Sequence, residues 1–205
     1  MAIRSGMQTL VDRLRVLTNA GTAQYTAGTA TYWTDTHLQD VLDGHNAWLV
    51  DHPLIWRPQT IATSDVEYLT AVVGYRNWEE AESGTARWVV RDAVGTVIGT
   101  ATYSTDYRNG RITFTSDQGG TAYYLTGYSY NVYAAAVEVL EHKLAYVDLW
   151  YDVSTNHQGF NRSQVMKNLQ DLIDKYQEKS GENEPGASGD VRSSMFVRVD
   201  IESQR

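Results

Sequence analysis

The spacing of apolar residues changes twice along this chain, and no other feature constrains its fold as much. Before residue 60 they recur at three and four positions; from 60 to 130 they recur at every second; beyond 130 the spacing of three and four returns. The first pattern puts apolar side chains on one stripe of a helix, the second on one face of a strand. The chain therefore predicts helices on either side of a strand-rich segment.

Residues 5–18 predict the first helix. Met7, Leu10, Val11, Leu14 and Leu17 make one stripe, and Asn19 and Gly21 supply stop chemistry. "TAQYTAGTATY" is small and polar, a loop or a short extended piece. Residues 34–53 predict a second helix, with Thr34 as N-cap, Asp35 in the first turn and Pro53 as its stop. Its buried face is Leu38, Val41 and Leu42, extended by Trp48 and Leu49. Gly44 in its middle weakens it by up to ~1 kcal/mol relative to Ala, which suggests a kink or a close neighbour.

The period-two segment contains about five strands: "VEYLTAVVGY", "ARWVVRD", "TVIGTATY", "RITFTS" and "AYYLTGYSY". "DAVG", "DYRNG" and "SDQGG" carry turn residues between them, and "RNG" before "RITF" is a strong hairpin signal. "NVYAAAVEVLEHKLAYVDLWYD" is then a long helix with a stripe of Tyr133, Ala136, Val137, Leu140, Leu144, Val147 and Tyr151. Val139, Leu149 and Trp150 lie off that stripe, so this helix is either central in its domain or packed on another subunit. "STNHQGFN" is a loop. The last helix, 162–179, is capped by Asn161 or Ser163 and carries Val165, Met166, Leu169, Leu172, Ile173 and Tyr176 on its apolar face.

The expected fold class is α+β: a four-helix base domain, an antiparallel β insert between helices 2 and 3, and an extended C-terminal tail. The divisions are 1–59 and 131–178 for the base, 60–130 for the insert and 179–205 for the tail.

The tail has two parts. "EKSGENEPGASGDVRSS" has the Gly, Ser, Pro and acid content of a flexible linker. In "MFVRVDIESQR", Met195, Val197, Val199 and Ile201 alternate with Phe196, Arg198 and Asp200. A lone strand in water is not stable, so this one either folds back on the edge of the insert sheet or adds to the edge of another protein. The length of the tether favours a partner or neighbouring subunit, and residues 195–201 are the candidate partner-binding segment.

Composition narrows the function classes. The chain has 205 residues, a net charge of −8 and no cysteine. Disulfides and thiolate metal sites are excluded, and the basic footprint of a nucleic-acid binder is missing. No apolar run approaches the ~18 residues of a membrane span, and the first residues lack the apolar core of a signal peptide, so the expectation is a cytosolic product with no membrane partner. Fourteen Tyr and 6 Trp stand against 3 Phe, which suits half-buried sheet faces and contact surfaces.

No catalytic constellation emerges. His37, Asp40 and His45 could be named a metal trio, but ligands two helical turns apart do not meet one ion without a third element. Glu79 with Glu80, Glu138 with Glu141 and Asp171 with Asp174 sit where solvated faces are expected. Arg4, Arg13 and Arg15 read as the polar face of the first helix. Along "AYYLTGYSY", Tyr124, Tyr128 and Tyr130 share a face with Thr126, while Tyr123 and Leu125 point the other way. That row suits cross-strand packing, or a carbohydrate platform if its rings are exposed and coplanar. The expectation is a protein that is not an enzyme, with no cofactor and no metal.

Three passages together resemble the head–tail connector, or neck adaptor, proteins of tailed bacteriophages: "YWTDTHLQDVLDGHN", "YRNGRITFTSDQGGTAYYLTGYSYNVYAAAVEVLEHKLAYV" and "YDVSTNHQGFNRSQVMKNLQDLIDKY". The resemblance covers about residues 5 to 178; "STNHQGF" departs from the Asp-Gly turn expected there. It implies a virion structural protein, assembled in the host cytoplasm, that forms a homo-oligomeric ring, commonly of twelve copies. The ring would lie below the portal and bridge it to stopper or tail-terminator proteins, with DNA passing through the lumen. Such adaptors often dock C-terminal segments onto the portal, which would give Met195, Phe196, Val197, Arg198, Val199, Asp200 and Ile201 their partner. The alternative is a Tyr-rich β module that binds carbohydrate or a receptor.

Overall fold

The structure is a computed structural model that describes residues 3–20, 25–27, 30–62, 65–80, 87–147, 153–155, 158–160 and 162–182. It is a mixed α+β fold with four helices and two larger antiparallel sheets. The predicted docking segment at 195–201 lies outside the described residues.

Helix α1 (Gln8–Thr18) follows a 3-10 turn at Ser5–Met7 and ends where Asn19 turns left-handed at φ 49°. Its buried residues Leu10, Val11 and Leu14 lie on the predicted stripe. The hairpin β1 (Tyr25–Ala27) and β2 (Ala30–Tyr32) precedes α2 (Asp35–Gly44). Thr34 caps α2 as expected, its hydroxyl accepting from the His37 amide at 3.2 Å.

Helix α2 is half its predicted length. It stops at Gly44, and β3 (Asn46–Pro53) begins at once. The His45 amide donates to Leu42 at 2.9 Å and the Asn46 side chain donates to the Asp43 carbonyl at 2.7 Å, which closes the last turn. Residues 46–53 have a better offer as a strand, because pairing with β9 satisfies their backbone and buries Leu49. Trp48 stays half exposed. A second strand without a sequence signal follows, β4 (Ile55–Ala62). It is an edge strand whose register shifts at Pro58, and its mostly polar, exposed face hides it from a search for alternation.

The remaining strands are β5 (Asp65–Val72), β6 (Trp88–Asp92), β7 (Tyr103–Asp106), β8 (Arg111–Phe114) and β9 (Tyr123–Tyr130). They form two sheets, ordered β3-β9-β6 and β4-β5-β8-β7. The predicted strand at 96–103 is mostly irregular: the Asp92 carboxylate accepts from the Val94 and Thr96 amides, and a 3-10 turn at Thr100–Thr102 leads into β7. The "RNG" hairpin forms as expected between β7 and β8. Gly110 there has φ 64°, and a Cβ would sit 1.9 Å from the Tyr75 carbonyl oxygen, so no other residue fits without displacement.

Helix α3 (Val132–Val147) starts directly after β9, with Asn131 as cap: its side-chain oxygen accepts from the Ala134 amide at 3.1 Å. A short hairpin of β10 (Val153–Thr155) and β11 (Gln158–Phe160) replaces the predicted loop. Helix α4 (Arg162–Glu182) runs three residues past its predicted end at Lys179, so Ser180, Gly181 and Glu182, expected in the flexible tether, are helical.

Two hydrophobic cores result. The helical core joins Leu10, Leu14, Leu38, Leu42, Val139, Leu140 and Ile173, with Tyr130 from the end of β9. Helix α3 is central, touching α1, α2 and α4, and Val139 belongs to its buried face after all. Lys143 of α3 donates to the carbonyls of Thr18 and Asn19 at 2.8 and 2.9 Å, a cation closing the C-terminus of α1. The strand core is aromatic. Trp88 of β6 meets Tyr103 of β7 at 5.5 Å between ring centroids, and Tyr123 of β9 meets Phe114 of β8 at 5.2 Å, so rings bridge the sheets.

Candidate docking groove between the two cores

Helix α1, the segment 77–80, the β7–β8 hairpin and Tyr133 at the start of α3 surround a groove of about 580 Å³. Residues 77 and 78 build its floor. Asn77 takes φ 57°, its amide donates to the Arg108 carbonyl at 3.2 Å, and its side chain donates to the Tyr130 carbonyl at 3.1 Å. The Trp78 amide donates to the Tyr107 carbonyl at 2.9 Å. The segment is thereby stitched to both β9 and the hairpin turn. Leu10, Val16, Leu17, Trp78 and Tyr107 give the groove apolar walls, and Val16 is 82% exposed.

The groove continues into a polar pocket of about 320 Å³ that shares Arg13, Asn77, Arg108 and Tyr133 with it. Arg76, Asn109 and Lys179 complete the lining. Four cationic side chains therefore converge, and no carboxylate is among the described residues that line this pocket. Tyr133 organises two of them: the Arg13 guanidinium lies 5.8 Å and the Lys179 ammonium 5.5 Å from its ring centroid. Arg13 also donates to the Asn77 side-chain oxygen. Burial pushes the Arg13 pKa down, and repulsion from Arg108 and Arg76 adds to the shift. A pocket of this kind can receive an anion, with the adjoining apolar walls holding whatever the anion is attached to.

Beside the groove, a buried ion network fastens the two cores. Glu79 is 2% exposed. It accepts from Arg4 Nε at 2.9 Å and from the Tyr130 hydroxyl at 2.8 Å, and Arg87 Nε lies 3.4 Å away. Arg4 forks onto Asp43 as well, at 2.6 and 2.9 Å. The Arg4 pKa is raised, chiefly by the hydrogen bond to Asp43, and burial with the Glu79 charge pushes the Tyr130 phenol up. Glu79 is thus not on a solvated face. Arg15 is also engaged, with Asp35 at 2.5 Å and with the carbonyls of Ala20 and Trp33.

The other residues singled out from sequence separate. His45 binds Glu138 at 2.8 Å, while His37 stacks on His142 with centroids 6.5 Å apart. Among the described residues no group of three His, Asp or Glu side chains is placed to hold a metal. Glu141, Asp171 and Asp174 are exposed. On β9, Tyr124, Thr126 and Tyr128 are half-buried on one face and Tyr123 and Leu125 buried on the other, as the alternation predicts; Tyr130, assigned to the first row, departs from it and is buried in the helical core. Tyr128 pairs with Trp48 at 4.5 Å, but the rings incline by 45° and so do not make a flat ledge for a sugar face. No described helix is long and apolar enough to cross a membrane.

Sequence reasoning missed the cation cluster. Its members stand at positions 13, 76, 108 and 179, and no local spacing links them. Arg13 was legible as part of the polar face of the first helix and Arg108 as part of a hairpin turn, but nothing in the sequence joined them.

No protein-family model, curated protein or solved structure matches the chain.

Proposed function

We propose that this chain is a structural protein of the neck of a tailed-bacteriophage virion, a head–tail adaptor. The proposed assembly is a homo-oligomeric ring, of twelve copies in the family it resembles, below the portal. It bridges portal to stopper or tail proteins, and DNA passes through its lumen. The observation that supports this best is the order of elements: two helices, a strand module with its own core, then two helices packed back on the first pair. That order is compatible with the four-helix base and β insert expected from the change of period, an architecture suited to a ring subunit. The net charge of −8 suits a lumen along which DNA slides rather than sticks. Residues 195–201 would dock on the portal or on a neighbouring subunit.

The test is to mix the purified chain with portal rings and to measure the mass and the image of the product. A ring of adaptor copies on the portal is expected. A chain that leaves portal rings unaltered at micromolar concentration overturns the reading.

A further inference from the structure

The groove between the cores has a chemistry that selects its occupant. Its apolar part ends in a pocket lined by Arg13, Arg76, Arg108 and Lys179. The complementary ligand carries carboxylates beside apolar side chains. A nucleic-acid backbone fits less well, because Asp12, Glu80 and Asp106 stand along the apolar part and repel successive phosphates.

The chain itself contains such a segment. In "VRVDIE", residues 197–202, an extended backbone puts Val197, Val199 and Ile201 on one face and Arg198, Asp200 and Glu202 on the other. The chain also leaves α4 beside the pocket. Lys179 lines it, and α4 ends three residues later at Glu182. The connecting residues 183–196 are rich in Gly and Ser; as a coil they span about 20 Å, and fully extended about 45 Å. That reach covers a groove which begins at the helix they leave. A segment tethered this closely has an effective concentration in the millimolar range, far above that of a second copy in dilute solution.

We propose that, in the free chain, residues 197–202 occupy this groove, with the Asp200 and Glu202 carboxylates at the Arg13–Arg76–Arg108–Lys179 cluster. The segment is then held by its own subunit until a partner with a better surface competes for it. This does not require the neck-adaptor reading. Loss of portal binding would sink that reading and leave the intramolecular contact untouched.

The absence of cysteine makes the test clean, because a Ser203→Cys variant of the full chain takes a single nitroxide label. Amide signals of the 15N-labelled, spin-labelled chain are measured at low concentration, before and after reduction of the nitroxide. Strong broadening is expected at Leu17, Thr105 and Arg108, and little on the far side of the strand core at Val94. A second sample mixes 15N chain lacking the label with unlabelled-nitrogen chain carrying it, and should show no broadening. Arg108→Glu, at an exposed turn position, and separately the pair Asp200→Asn with Glu202→Gln, should each remove the effect while the remaining spectrum stays folded. The proposal is overturned if the first sample shows no broadening, if the mixed sample shows as much, or if both charge variants keep it. Shifts at Arg13, Arg108 and Lys179 on adding a short DNA duplex, without broadening in the first sample, would assign the pocket to phosphate and also overturn it.

Discussion

The two cores solve the same problem with different side chains. The helical core is built from Leu, Val, Ala and Ile around α3, and Ala135 and Ala136, both fully buried, bring its neighbours close. The strand core relies on Trp78, Trp88, Tyr103, Phe114 and Tyr123. Helices interlock through ridges and grooves, so aliphatic stripes suffice. Facing sheets stand ~10 Å apart, a gap that large rings can span. The consequence is a difference in how damage should spread. One aliphatic loss on a helix stripe leaves neighbouring turns in contact, whereas the loss of a bridging ring opens the gap between sheets.

The largest effect should come from Trp78, which is 1% exposed at the groove floor and belongs to the strand core. Trp78→Ala should cost about 4 kcal/mol, the middle of the range for aromatic truncation, against about 3 kcal/mol for Leu140→Ala in the helical core. Chemical denaturation of both variants measures the difference, and equal costs would remove the contrast between the cores.

Next is the seam. Glu79→Ala leaves the Arg4 and Arg87 cations without their buried counterion and should cost about 3 kcal/mol. Asp43 still holds Arg4, so the loss should fall short of full unfolding. Hydrogen exchange reports where it acts: protection should fall in both cores together, and a drop confined to one would show that the network does not couple them.

The smallest effect is alkaline. Burial, with Tyr107 nearby, pushes the Tyr103 phenol up to about 12 from its usual 10. A raised folded-state value contributes stability that is complete below pH 10 and is lost as pH rises to 12. That shift corresponds to about 2 kcal/mol after allowance for partial solvation. The stability of wild type relative to Tyr103→Phe should therefore fall between pH 10 and 12, and a constant difference would show that the Tyr103 hydroxyl is hydrated.

Part of this was legible in the sequence. The stripe of α1, the Thr34 cap and the 106–110 turn depend on residues within a few positions of one another, and each formed as expected. Residues 46–53 show the limit. Trp48 and Leu49 fit a continued helix stripe, yet their backbone pairs with β9, more than seventy residues away. Local spacing could not weigh that offer, and Gly44, legible only as a weak point, became the boundary.

By itself, the sequence determined what depends on neighbours: the change of period and hence a mixed α+β chain, the caps, the turns, and the faces of the helices and of β9. Only the tertiary structure decided that the strands form two sheets, that Glu79 is buried, and that Arg13, Arg76, Arg108 and Lys179 share a pocket. The physical reason is range. Backbone sterics and periodicity act within a few residues, whereas sheet partners, charge clusters and buried ions are set by which distant segments the two cores bring together.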